Sequence, residues 1–259
     1  EHVLPDPENA PEAWSASLVR LARSERFDWI LPVTELSLGA LYAAELDRAI
    51  PCLCPSAEAY WAATDKYQLL EVAAGLGIRT PKSRLFESVS DLTSLPAGFA
   101  YPVILKARRS RFRTPNGWGT GSVVRVDDRD ALVRAHGDPG FAGGVLLQEF
   151  LPGHGEGVFL LARAGRCLAA FAHRRLREKP PSGGVSVLSE SLVPDARLLA
   201  ASERLVAELG LDGVAMVEFR ASPGSEPALM EINPRLWGSL QLAVDAGVDF
   251  PLLLWRMHS

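Results

Sequence analysis

Met230-Glu231-Ile232-Asn233-Pro234-Arg235 follows Val217-Glu218-Phe219-Arg220 across the run Ala221-Ser222-Pro223-Gly224-Ser225-Glu226-Pro227. Two strand-like stretches around a loop dense in turn formers predict a hairpin. Alternate side chains of a strand share a face, so Glu231, Asn233 and Arg235 project together while Met230 and Ile232 point the other way. A hairpin symmetric about its loop sets Glu218 opposite Glu231. Facing carboxylates repel unless something positive stands between them. Two carboxylates and an amide oxygen, with no Cys or His nearby, form a hard-oxygen set suited to Mg²⁺ or Mn²⁺. The plain alternative is a solvated polar hairpin face. Pro234 argues against an ordinary continuing strand, because it ends ladder donation where Arg235 must be aimed.

The rest of the chain sets bounds on what that hairpin belongs to. With 259 residues it forms one large domain or two to three small ones. The apolar share of 47% is that of a folded protein. A net charge of -4 gives no reason to expect nucleic acid or an anionic membrane as partner. No apolar run approaches the roughly 18 residues a membrane span needs. Cys52, Cys54 and Cys167 make neither a disulfide framework nor a CxxC pair, which fits a reducing cytoplasm. The chain opens on Glu1, and its first strand-like run comes only at Phe27, so an upstream segment is expected.

Residues 13 to 26 carry apolar side chains at helical spacing, and Phe27 to Val33 reads as a buried strand. A helix over 35 to 49 and a strand over 50 to 54 repeat the alternation, which predicts a parallel sheet. Thr34, Glu35 and Ser37 follow the first of these strands, as a helix cap or as substrate contacts. Thr64 is the expected cap of a helix running to Leu76. Strands are expected over 102 to 109 and 121 to 126, around a loop holding Gly117, Gly119 and Gly121. A further strand covers 145 to 151, and two more flank the turn Ala164-Gly165. A helix over 194 to 209 precedes the hairpin, and two more close the chain from Ser239, which is positioned to cap the first. The apolar run Phe250 to Trp255 is either core or an interface, leaving a homo-oligomer open.

Lys106 ends the apolar strand Val103-Ile104-Leu105, where an ammonium needs an anion or water. The loop Arg113 to Ser122 is rich in glycine, so its N–H groups can converge on an anion. It is not a Walker A loop. His173 to Ser186 gathers Arg174, Arg175, Arg177 and Lys179 beside Pro180-Pro181 and Gly183-Gly184, a basic segment able to hold a carboxylate or a phosphate. No Ser-His-Asp or Cys-His arrangement can be assembled.

The run MEINPRLWGS after DGVAMVEFR, preceded in order by Thr64-Asp65-Lys66, Tyr101 to Lys106 and Gln148-Glu149-Phe150-Leu151, resembles the ATP-grasp superfamily. Any one of these motifs is weak; four in order over about residues 64 to 245 are specific. The superfamily includes carboxylate–amine and carboxylate–thiol ligases and the ATP-binding domains of carbamoyl phosphate synthetase and biotin carboxylase. The resemblance implies an α/β (α+β) fold of two subdomains clasping ATP. It divides the chain into residues 1–63, a partial parallel α/β domain preceding the ATP-grasp; 64–145, the small lid region; and 146–259, the large subdomain with the metal hairpin. It implies that Lys66 and Lys106 meet ATP phosphates and that Gly117 and Gly119 belong to the loop covering them. Gln148, Glu149, Phe150 and Leu151 receive adenine, and Glu156 the ribose. Glu218, Glu231 and Asn233 hold Mg²⁺ or Mn²⁺, while Arg235, Arg175 and Lys106 serve the chemistry. The implied reaction phosphorylates a small-molecule carboxylate to an acyl phosphate, which an amine displaces, releasing ADP and phosphate. Phosphorylation of carbamate or bicarbonate, or a non-catalytic ATP-binding module, shares the same motifs.

Overall fold

The structure is a computed structural model describing residues 2–179 and 184–259. Helices α1 (Pro11–Glu25) and α2 (Glu35–Ala43) begin the chain. Thr34 and Ser37 form a reciprocal capping box at the start of α2. The expected parallel sheet here is reduced to one parallel bridge, Ile30 to Cys52. Phe27 and Val33 are exposed rather than buried. Pro32 and Pro51 each remove a ladder donor, and no third strand among the described residues covers the pair.

Helix α3 (Ala57–Thr64), too short to declare itself by periodicity, runs directly into α4 (Lys66–Gly75). The cap of α4 is Asp65, whose carboxylate accepts from the Gln68 N–H; Thr64, expected in that role, ends α3 and bonds the Tyr60 carbonyl. Strands β1 (Ser83–Phe86), β2 (Val103–Ala107), β5 (Val123–Val126) and β6 (Val145–Glu149) form an antiparallel sheet in the order β1-β6-β2-β5. Helix α5 (Arg129–Ala135) packs against it. The boundary expected between residues 145 and 146 therefore runs through β6, which belongs wholly to this smaller sheet.

Inserted before β5 is a separate hairpin, β3 (Arg111–Thr114) with β4 (Gly117–Thr120). Beyond the small sheet come β7 (His154–Arg163), β8 (Arg166–Lys179) and β9 (Val185–Leu192). Helix α6 (Ala196–Glu208) leads into β10 (Gly213–Ala221) and β11 (Ala228–Asn233). These five strands form the larger antiparallel sheet, ordered β11-β10-β7-β8-β9. One face carries Val158, Leu160, Val217 and Ile232 against α3, α4 and α6. The other carries Phe159, Phe171 and Met216 toward α7 (Leu240–Asp245) and α8 (Phe250–His258). Phe250 and Leu254 of α8 are core, while Leu252 and Trp255 stay exposed. No helix among the described residues is long and apolar enough to cross a membrane.

Candidate active site

A cavity of about 840 Å³ lies over the second face of the large sheet, bounded on its far side by β2 and the segment after β6. Strand pairing sets its floor. Glu231 pairs with Glu218, Glu218 with Gly157, and Gly157 with His173, so four strands contribute to one row. Cross-strand partners share a face. On one side of that row lie Arg220, Gly155 and Arg175; on the other lie Met216, Phe159 and Phe171. The floor thus passes from ionic to apolar across a single row.

Glu218 and Glu231 face one another as the hairpin pattern predicts, with one difference. Phe219 pairs with Leu229, so Met230 is an extra residue in the ladder. Released from the alternation, Met230 lines the cavity instead of pointing away. The two carboxylates need positive charge. Arg175 Nη2 lies 2.5 Å from Glu218 Oε2, and Lys66 Nζ lies 3.9 Å from Glu231 Oε2. Burial and the neighbouring Glu231 push the Glu218 carboxyl up to about 7. Burial also pushes Glu231 upward, but Lys66 and Lys106 outweigh it and hold its carboxyl below the ordinary value. Asn233 Nδ2 donates to Glu231 Oε1 at 3.2 Å, and Arg235 Nη2 donates to Asn233 Oδ1 at 3.0 Å. All three oxygen donors reach the cavity wall. No group of three or more His, Cys, Asp or Glu able to hold a metal occurs among the described residues. The set fits a divalent cation that takes its remaining ligands from phosphate and water, and does not fit an all-protein cage.

Two buried lysines stand above this set, from different elements. Lys106 is the penultimate residue of β2, and burial lowers its pKa against the pull of Glu231. Lys66 opens α4, with its ammonium 2.8 Å from Ser110 Oγ. Asp65 fixes their spacing: its carboxylate, almost wholly buried, accepts from Arg108 Nε at 2.7 Å and Arg109 Nη2 at 3.0 Å. The Lys66 N–H in turn donates to the Arg108 carbonyl at 3.0 Å. The start of α4 is thereby clipped to the end of β2. Asp65 escaped the sequence reading as a positioning residue, although it stands inside the quoted Thr-Asp-Lys motif.

The structure brings Lys66, Lys106, Glu149, Phe150, Leu151, Arg175, Glu218, Glu231, Asn233 and Arg235 to one cavity. Four other expected residues lie off its wall. Gly117 and Gly119 belong to β4, which turns toward the N-terminal helices: a Cβ on Gly117 would meet the Glu8 carbonyl, and one on Gly119 the Phe112 ring. Trp118 between them is buried against Gly39 with Trp14 and Leu38, so the tip of this hairpin is core. Gly121, Ser122 and Val123 line the cavity in their place. Gln148 is turned into the small sheet, where Nε2 donates to Ser83 Oγ at 3.0 Å. Glu156 pairs with His154 at 2.8 Å, because alternation along β7 turns its neighbours Gly155 and Gly157, not Glu156, to the sheet face that carries Glu218.

Glu178 and Arg220 were not assigned a role from sequence. Glu178 Oε2 accepts from Arg220 Nη1 at 2.9 Å, and its other oxygen lies 3.5 Å from Arg175. Their separation along the chain gave no signal; only the sheet joins them. Within the basic segment Arg174 pairs with Glu190, while Pro180, Pro181, Ser182 and Gly183 lie outside the described residues. Glu35 stands 3.9 Å from Arg235 Nη2, and burial raises its carboxyl despite Lys66 and Arg235. Ser239, expected as a helix cap, bonds His173 Nδ1 instead.

Two antiparallel sheets enclosing a cavity, with paired lysines facing a carboxylate hairpin, define an ATP-grasp fold. Residues 143–258, a little under half of the chain, are similar to the family described as "ATP-grasp in the biosynthetic pathway with Ter operon". The carbamoyl phosphate synthase large chain of Rubrobacter xylanophilus is 26% identical over 96% of this chain, which spans 25% of that protein. Carnosine synthase 1 of Homo sapiens is 35% identical over 38% of this chain, corresponding to 12% of its own length. The biotin carboxylase of Campylobacter jejuni, solved as a β,γ-ATP complex, superposes with a TM-score of 0.75 at 17% identity, covering 92% of this chain and 56% of that one.

Proposed function

We propose that this chain carries the ATP-dependent half of a carboxylate–amine ligase, using Mg²⁺, or Mn²⁺ in its place. The observation that carries the reading is the row Glu231-Glu218 facing Lys66 and Lys106 inside one cavity. A triphosphate would add anionic partners for two buried lysines, and a divalent cation would add to the positive charge that Arg175 and Lys66 already bring to the facing carboxylates. Magnesium held by Glu218, Glu231 and Asn233 would neutralise the phosphates during transfer. Phe150 and Leu151 offer apolar walls for a purine. The Glu149 N–H is taken by the Lys82 carbonyl at 2.9 Å, which leaves donation to later residues of that segment.

Lys66 and Lys106 hold the phosphates, while Arg235 and Arg175 stabilise charge on the carboxylate as it meets the γ-phosphorus. Such chemistry rests on position and charge, and needs no side-chain nucleophile. The amine then attacks the acyl carbon and phosphate departs with the C–O electron pair. Bicarbonate or carbamate phosphorylation is the second reading, favoured by the relationship to carbamoyl phosphate synthase. The apolar end of the cavity, with Met216, Trp237 and Leu242, supports the ligase, because a one-carbon acid has no use for it.

The test is ADP release with magnesium, measured for each of the twenty amino acids as the acid, with and without a second amino acid as the amine. Release that needs both supports the ligase. Release with bicarbonate alone supports the second reading, and ATP binding without turnover supports a non-catalytic module.

A further inference from the structure

Three residues along a regular strand put two side chains on opposite faces, yet Arg175 and Glu178 meet over the cavity floor. The register explains it: Arg175 pairs with Ser189 and Arg177 with Leu188, so Leu176 is an extra residue in β8. Gly155 gives both side chains room to lie across β7. A Cβ there would stand 2.8 Å from Arg175 Cδ and 2.9 Å from Glu178 Oε1, so the pair fills the space above the glycine. The Arg175 guanidinium is thereby held at both ends. Nη2 lies 2.5 Å from Glu218 Oε2, while Nη1 donates to the Gly184 carbonyl at 3.2 Å and stands 3.5 Å from Glu178 Oε1. Glu178, with a side chain only 8% exposed, is itself fixed by Arg220 Nη1 at 2.9 Å.

We propose that Glu178 is a positioning residue: it keeps Arg175 tethered through Nη1 when Nη2 gives up Glu218 to a divalent cation. This role rests on the ligase reading above, which assigns Glu218 to the metal. A guanidinium on Oε2 competes with a cation for the same carboxylate, because it occupies one oxygen and repels the incoming charge. Arg175 therefore has to release Glu218, and a buried guanidinium left without a carboxylate is costly. Glu178 lowers that cost, since the guanidinium exchanges one partner and keeps the other. Nη2, once released, is available to an anionic oxygen of the phosphate or of the acid. Arg175 thus passes from neutralising Glu218 to serving the substrates only when the cation is in place.

Mn²⁺ binding to the full chain, followed by electron paramagnetic resonance, tests this without turnover. Glu178→Gln is expected to weaken binding about fivefold or more, because Arg175 is then left to Glu218. Glu178→Asp keeps the charge but draws it back by one methylene, and should lose part of the same affinity. Arg175→Met removes the competing cation and should tighten binding. In that background Glu178→Gln should change the affinity by less than about twofold, since its effect runs through the guanidinium. Equal losses from Glu178→Gln with and without Arg175 would mean a plain loss of negative charge, and overturn the positioning role. Where the double variant does not fold, an unchanged affinity in Glu178→Asp overturns it alone. The metal assignment survives both results so long as Glu231→Gln weakens Mn²⁺ binding; binding indifferent to Glu231→Gln removes the assignment and the positioning role together.

Discussion

Glu218 and Glu231 stand directly opposite one another because Met230 is an extra residue between Glu231 and Leu229. Without that bulge the ladder continuing from Phe219–Leu229 would set Met230 against Glu218. The hairpin would then keep one carboxylate at the paired position and turn the other away. One inserted residue thus places two like charges side by side, a repulsion that Arg175 and Lys66 offset.

Glu231→Gln should reduce ATP turnover by about 100-fold or more, a loss typical of removing one preorganised charge-stabilising group. The same change relieves the repulsion with Glu218 but removes the carboxylate that Lys66 and Lys106 favour, so the melting temperature of metal-free protein should fall only modestly, with the fold retained. Mn²⁺ binding, followed by electron paramagnetic resonance, should weaken in parallel with turnover. Near-normal turnover in a folded variant would remove the metal assignment.

Asp65→Ala strips the clip between α4 and β2. It leaves two guanidinium groups without their carboxylate and removes a helix cap. Both arginines keep some solvent, at 36% and 26% side-chain exposure, so the cost is set below that of a fully buried pair, at about 2–4 kcal/mol. For a chain this long that is a fall in melting temperature of roughly 5–15 °C. Calorimetry that finds no change would mean the clip contributes nothing.

Trp118→Ala distinguishes packing from lid function. Trp118 fills space over Gly39, so truncation should cost about 3–5 kcal/mol through the cavity it leaves. Affinity for a non-hydrolysable ATP analogue, measured by calorimetry below the transition, should stay within a few-fold. A collapse in affinity with stability intact would return the β4 tip to the nucleotide site.

His173 gives the metal-free protein an acid sensitivity whose sign is fixed. Its folded pKa of about 4 lies below the ordinary 6.5, so the unfolded chain binds the extra proton between those values. Stability from this group is present above pH 6.5 and is lost as pH falls toward 4. Glu218, raised to about 7, acts oppositely between 4.5 and 7, so the quantity to measure is wild type minus His173→Gln, where that contribution cancels. The difference in melting temperature should drift against the wild type on acidification; a constant difference would contradict a neutral buried imidazole.

The hairpin residues were legible because a strand's period of two converts spacing directly into facing, and a turn-rich loop marks the fold-back. Lys106 was legible for a similar reason, as a charge at the end of an apolar strand. Lys66, the run Gln148 to Leu151 and Arg235 became readable only together, through the order of the motifs. By contrast Gly117 and Gly119 misled, because glycine spacing says a backbone is permissive without saying what approaches it. Here the neighbours are Glu8 and Phe112, distant in sequence. Phe27 to Val33 misled because an apolar run predicts burial only where something covers it.

By itself the sequence determined the alternating pattern of the strands and the hard-oxygen character of the hairpin, which depend on neighbours within a few residues. The fold class was readable only through the resemblance carried by four motifs in order. Tertiary structure alone decided that Arg175 reaches Glu218 across Gly155 and that Asp65 fixes Lys66 beside Lys106. Each is a contact between strands or helices far apart along the chain, and its existence depends on sheet order and register, which no local spacing encodes.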